Sequence, residues 1–137
     1  MKKRNGFTMI ELLVVIGIIG ILVVFLVPSL LGARDRAKEA AVKAVMHSVQ
    51  LAVESYQLEN ETYPMDRNLP LESLGRNYLM GAGYLATVPK NPFTGLEYKD
   101  SDLAGKIIYD YDDTRGVYSL KGYNRTGLQK ILELTNL

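Results

Sequence analysis

Cysteine and tryptophan are both missing from the 137 residues, and histidine occurs once, at position 47. Without cysteine the chain forms no disulfide, builds no thiolate metal site and offers no sulfur nucleophile. A single histidine, with no glycine-rich nucleotide loop, no paired-histidine zinc helix and no nucleophile elbow, leaves only scattered Ser, Asp and Glu for catalysis. The expectation is therefore no enzyme, no cofactor and no metal. Excess charge is lacking too: 16 basic residues face 15 acidic ones. A balance of +1, with the signs interspersed, gives no field to attract nucleic acid, and no direct nucleic-acid contact is expected. No internal repeat, low-complexity tract or flexible linker is visible, and this length suits one folded unit.

What the chain does have is a long apolar run. From residue 12 to residue 31 there is no charged side chain. With the apolar residues before it, the run from Phe7 to Leu31 is long enough, at about 1.5 Å per helical residue, to cross a hydrocarbon core of roughly 30 Å. A secretory signal peptide has a shorter apolar core with a small-residue cleavage site after it. Here only the basic start, Lys2, Lys3 and Arg4, fits that plan, and it favours a cytoplasmic N-terminus with the remainder exported. Glu11 sits inside the apolar run, where a carboxylate at mid-span costs about 2.5–3.5 kcal/mol on insertion scales, so it needs either an interface or a partner.

Lys2-Lys3-Arg4-Asn5-Gly6-Phe7-Thr8-Met9-Ile10-Glu11-Leu12-Leu13 resembles the leader junction of type IV pilins and type II secretion pseudopilins. Basic leader, Gly, Phe and Glu stand in register ahead of the apolar span. The resemblance implies cleavage between Gly6 and Phe7 by a membrane-embedded prepilin peptidase and N-methylation of Phe7. It also implies a single-pass precursor in the bacterial cytoplasmic membrane, then a helical homopolymer raised by a membrane platform that an ATPase drives. Its place is then an extracellular or periplasm-spanning filament. Removal of residues 1–6 would take three of the 16 basic residues, leaving 13 against 15 acidic. The cut places a cationic amine on Phe7. Glu11, four residues on and on the same helical face, is expected to pair with the Phe7 amine of an adjacent subunit, since charges in low dielectric are tolerable chiefly when paired. Gly17 and Gly20 allow close helix approach, and Pro28 marks either a kink or a place where the helix loosens in the filament.

Beyond Gly32 the pattern becomes amphipathic. Val42, Val45, Met46, Val49, Ala52, Val53 and Tyr56 recur at three- and four-residue steps, with Arg34, Lys38, Lys43, Gln50 and Glu54 opposite, which predicts a helix with one buried face. Asn60 and Tyr63-Pro64 end it. A short helix is expected around residues 71–79, a turn-rich stretch at 88–95, and a hairpin of strands 107–111 and 117–123 around the Asp112–Gly116 loop, with Tyr98 a candidate start of an earlier strand. The tail, residues 128–134, reads as helical. The fold class expected is α+β and pilin-like: a long N-terminal helix packed on a small antiparallel sheet. Residues 1–6 would be the leader, 7–31 the transmembrane assembly helix and 32–137 the head.

Other signals are bland by comparison. Asp100, Asp102, Asp110, Asp112 and Asp113 raise the thought of calcium, but their spacing matches no calcium loop and turn-forming aspartates explain them better. His47 is expected at the surface or an interface. Asn60-Glu61-Thr62 and Asn124-Arg125-Thr126 match the glycosylation tripeptide, a pattern that arises easily by chance. Nine tyrosines suit strands and interfaces. Within the filament family the choice lies between an adhesive or motile pilus and a secretion pseudopilus; outside it stands a single-span anchored binding domain that does not polymerise.

Overall fold

A computed structural model describes residues 6 to 136, so the basic start, Lys2, Lys3 and Arg4, lies outside the described residues. The first element, α1 (Met9–Asn60), is a 52-residue helix. It contributes to two compact units, Met1–Asp35 and Arg36–Leu137. In the first unit the helix carries no charged side chain from residue 12 to residue 31 and passes through Pro28. In the second it is amphipathic, and Val42, Met46, Val49, Ala52 and Val53 are its buried residues. Val45 and Tyr56 lie at the margin of the same face. The helix stops at Asn60, whose side-chain amide donates to the Tyr56 carbonyl at 2.9 Å. Glu61 then takes the left-handed conformation, φ 58°, that reverses the chain after a helix.

A two-residue strand β1 (Leu69–Pro70), a single turn α2 (Leu71–Leu74) and a π-helical turn (Gly75–Leu79) follow. Strands β2 (Ile107–Asp112), β3 (Val117–Tyr123) and β4 (Lys130–Thr135) complete the chain. The sheet runs β1-β2-β3-β4, each neighbouring pair antiparallel. This is an α+β fold, with the long helix packed on a four-stranded antiparallel sheet. Asp112 accepts the Thr114 N–H at 3.0 Å, and Gly116 at φ 67° closes the β2–β3 turn as the Asp-rich loop predicts.

The alternate residues of β3, Tyr118, Leu120 and Gly122, face α1. Register across the two layers is tight. A Cβ on Gly122 would stand 2.3 Å from Met46 Sδ, so any larger residue there requires the Met46 side chain to move. Leu71, Leu74 and Leu79 seal one side of the core. Each such side chain contributes about 1.5–3 kcal/mol on burial. Tyrosine hydroxyls fasten the periphery. Tyr118 and Tyr63 both donate to the Glu54 carboxylate, at 2.5 and 3.0 Å, Tyr78 to Asp66 at 2.7 Å and Tyr84 to Glu59 at 2.6 Å. The Tyr109 hydroxyl reaches the Pro64 carbonyl at 2.8 Å.

Two expectations are corrected. Residues 128–134 are not helical: most of them form β4, which extends the sheet by pairing with β3. The run Lys130-Ile131-Leu132-Glu133-Leu134 contains good helix formers, but β3 offers a ladder of unpaired backbone groups and an apolar face, and that non-local pairing overrides local propensity. Tyr98 does not begin a strand; its ring is buried and its hydroxyl donates to the Gly105 carbonyl at 2.9 Å. The additional strand is β1 instead, a pairing of Leu69 with Tyr109 and Pro70 with Ile108.

Candidate assembly and processing site

Gly6, Phe7 and Thr8 precede the helix, and all three are exposed. Thr8 is the residue that caps it. The Glu11 N–H donates to Thr8 Oγ1 at 3.3 Å, while Thr8 N–H donates back to Glu11 Oε2 at 2.8 Å, a reciprocal capping box that satisfies two otherwise unpaired donors. The Thr8 hydroxyl adds a third bond to the same carboxylate oxygen, at 2.7 Å. Sequence reasoning passed over Thr8, although Thr8-Met9-Ile10-Glu11 ahead of an apolar run is the written form of this cap.

The geometry bears directly on the Gly6–Phe7 junction. Cutting that bond turns the Phe7 nitrogen into an amine but leaves the Thr8 N–H in place, so the cap survives the cut. Both Thr8 bonds fall on Glu11 Oε2; among the described residues, Oε1 accepts no hydrogen bond. A side chain added at Gly6 would meet nothing within 4 Å. The fold of the chain therefore makes no demand for glycine there.

Further along, added Cβ atoms at Gly17 and Gly20 also meet nothing within 4 Å. Pro28 lacks an N–H, so the Val24 carbonyl loses its helical partner, and the neighbouring Ser29 hydroxyl donates to the Leu26 carbonyl at 2.9 Å. α1 is the helix long and apolar enough to cross a membrane, and its most apolar 18-residue window is 0% buried. Ile10, Glu11, Gly17, Gly20 and Pro28 thus share one exposed helical segment, with Phe7 just ahead of it rather than on its face and the polar groups gathered at its start.

The head aspartates have separate occupations. Asp110 accepts from Lys121 Nζ at 3.1 Å, Asp113 from Arg67 at 3.0 Å, Asp100 from Ser73 and Asp102 from Asn91. The bond to Lys121 holds the Asp110 carboxyl below its usual range. Among the described residues no three His, Asp or Glu side chains gather in a way that would hold a metal. His47 is exposed, as expected. The two tripeptide asparagines are engaged structurally: Asn60 with the end of α1, and Asn124 Oδ1 with the N–H of Thr126 at 3.1 Å.

Comparison with known proteins agrees with this layout. Residues 1–27 match the family model described as the prokaryotic N-terminal methylation motif. The chain is 37% identical over 106 residues to the type II secretion system core protein G of Vibrio cholerae, covering 72% of this chain and 71% of that protein. The protein of the same name from Klebsiella pneumoniae is 32% identical over 108 residues, covering 72% and 75%. The type IV wide pilus major component PilA4 of Thermus thermophilus is 44% identical over 75 residues, covering 55% and 56%. No solved structure matches the chain significantly. An N-terminal methylation motif in register, a long exposed apolar helix on a small antiparallel sheet, and relatives matched over two thirds of both chains lead to one conclusion: this chain belongs to the type IV pilin and type II secretion pseudopilin family of filament subunits.

Proposed function

We propose that the chain is a filament subunit of the secretion-pseudopilus kind, held in the cytoplasmic membrane as a precursor, cut between Gly6 and Phe7, methylated on Phe7 and then polymerised. The observation that carries this reading is the burial pattern of α1. The apolar segment of residues 7–31 buries nothing within its own chain, whereas the amphipathic part holds the head together. That much exposed apolar surface requires lipid before assembly and neighbouring helices after it. On this reading 1–6 is the leader, 7–31 the assembly helix and 32–137 the head. Partners are the peptidase, an ATPase-driven membrane platform and further copies of the chain.

The Glu11 carboxylate has two duties. Oε2 closes the helix cap, and Oε1 receives the Phe7 ammonium of an adjacent subunit, which lets both charges enter the low-dielectric filament core. Gly17 and Gly20 admit neighbouring backbones, and the i→i−4 hydrogen bond missing at Pro28 gives the helix a point at which to loosen. The subunit supplies packing and no catalysis.

The secretion reading is preferred because the core protein G relatives match across the head as well as the helix. A pilus subunit is the second reading, favoured by the 44% identity to the Thermus pilus component over a shorter stretch. Overproduction of the chain with its processing and export partners, followed by shearing, tests the filament claim. Helical filaments composed of this chain are expected; a chain that stays entirely in the membrane fraction as monomer would make it an anchored binding domain instead.

A further inference from the structure

A cleft of about 410 Å³ opens on the head, wholly within the unit Arg36–Leu137. Segments distant in sequence wall it: the residues around β1, the loop from Tyr98 to Leu103, the start of β2 and Tyr123 at the end of β3. That volume lies at the lower end of the roughly 300–1,000 Å³ that small-molecule sites occupy, so it suits a ligand of one or two rings.

The walls are fixed by bonds that leave several polar groups of the cleft unused. Asp100 turns back to Ser73, accepting its N–H at 3.1 Å and its hydroxyl at 2.5 Å. Asp102 Oδ2 accepts the Asn91 amide at 2.9 Å and the Lys99 N–H at 3.1 Å. Tyr98, buried, donates to the Gly105 carbonyl at 2.9 Å and so ties the two ends of the loop together. On the facing segment Asn68 takes the left-handed conformation, φ 52°, with its N–H donated to Asp110 at 3.2 Å. A site whose backbone is settled in advance loses little conformational freedom when a ligand arrives.

What remains free sets the chemistry. Among the described residues the side chains of Asn68, Lys99 and Ser101 make no hydrogen bond or ion pair, and Lys106 is held only over the Tyr123 ring, its Nζ 4.7 Å from the ring centre. Asp102 keeps Oδ1 as an acceptor. The cleft thus offers an amide, a hydroxyl, two ammonium groups and a carboxylate oxygen. Its charges cancel, because Lys99 and Lys106 are matched by Asp100 and Asp102 in the same wall. Glu97, the nearest acid outside it, pairs with Arg76 at 4.0 Å. A phosphate or carboxylate would meet the two aspartates, and a cation the two lysines. A neutral ligand dense in hydroxyls meets neither penalty, since each hydroxyl both donates and accepts. Pro70 and Ile108 supply apolar wall against which the C–H face of a sugar ring packs.

We propose that this cleft binds a neutral saccharide of one or two rings, an activity of the head that goes beyond filament assembly. The full chain, labelled with nitrogen-15 and held in phosphatidylcholine nanodiscs to avoid sugar-headed detergents, is titrated with glucose, galactose, mannose, N-acetylglucosamine, maltose and lactose, and separately with inorganic phosphate. The expected result is a saturable shift of the amides at 68, 99–103 and 106–108 with at least one sugar, and a weaker response or none with phosphate. Asn68→Gly keeps the left-handed backbone while deleting the amide, and Lys99→Met keeps the aliphatic stem while deleting the charge. Each is expected to weaken binding about threefold or more, with amides elsewhere on the head unmoved. Absence of a saturable shift with every sugar overturns the proposal, as do shifts confined to other parts of the head or binding unchanged in both variants. Tighter binding of phosphate than of any sugar overturns it too, because the lysines would then define an anion site. The filament reading is untouched by any of these results, since its own test is the recovery of sheared filaments.

Discussion

Glu11 caps the helix through Thr8 and, in the proposal above, also pairs with a neighbour's amine, two roles that ordinary alanine replacement confounds. Alanine removes both the cap and the charge, and loss of a cap alone is worth about 0.5–2 kcal/mol. Glutamine separates them, because it serves the reciprocal cap as well as glutamate does. If the ammonium pairing is what assembly needs, Glu11→Gln abolishes filament formation as fully as Glu11→Ala, while Thr8→Ala lowers yield only mildly; both variants are still synthesised and cut. Normal filaments from Glu11→Gln, scored by shearing and immunoblot, would reduce Glu11 to a helix cap. A second residue-scale test concerns Glu54, which accepts two tyrosine hydroxyls from positions 9 and 64 residues away. Hydrogen bonds to a charged partner contribute about 1.5–3 kcal/mol, so Glu54→Ala is expected to lower head stability by about that amount in a denaturant titration, and Tyr63→Phe by less. Glu11 was legible from sequence because a charge in an apolar run has to be explained. Glu54 was not: the helical pattern sets it opposite the buried face, whereas its half-buried carboxylate accepts from Tyr63 and from the buried Tyr118.

Elements differ in legibility for the same reason that they differ in what stabilises them. The amphipathic part of α1 was readable residue by residue, because burial on a helix writes a 3.6-residue period into the sequence. The β2–β3 hairpin was readable from its turn chemistry. Strand β4 was not: Ile131, Leu132 and Leu134 fit a helical face as well as a strand, and the decision belongs to β3, which the local pattern does not contain. β1 escapes notice because two residues ending in proline carry no periodicity, and Pro70 is tolerated there because the strand lies at the sheet edge. The close approach of α1 to β3 supplies an element-scale prediction. Gly122→Ala forces Met46 out of its place and should destabilise the head by about 1–3 kcal/mol, as overpacking does. Gly17→Ala and Gly20→Ala act oppositely in the isolated subunit, each favouring the helix by about 0.5–1 kcal/mol. If those glycines admit neighbouring backbones, the same alanines reduce filament yield; unchanged yield would mean that the glycines make no contact in the assembly.

At the scale of the whole molecule, titration sets the limits of the folded head. Tyr118 and Tyr63 are raised above the usual phenol range chiefly by burial, and Tyr78, bonded to Asp66, is pushed up to about 12. Their raised folded values mean that stability is fully present below the unfolded value near 10 and is lost as pH climbs from there towards 12, because the unfolded chain releases its protons first. At the acid end, the lowered Asp110 value works the other way: its contribution is present above its unfolded value of 3.8 and is lost as pH falls below it. Thermal melting across pH 3 to 12 is expected to show a broad plateau with both shoulders, and a fall beginning near neutrality would contradict the tyrosine assignment.

The central claim is that this chain is a precursor whose apolar helix survives an N-terminal cut. Intact mass and N-terminal sequencing of the chain recovered from its native membrane or from shed filaments test that most directly. A chain beginning at methylated Phe7 is the predicted result; one that begins at Met1, or that has been cut beyond Leu31, contradicts the account.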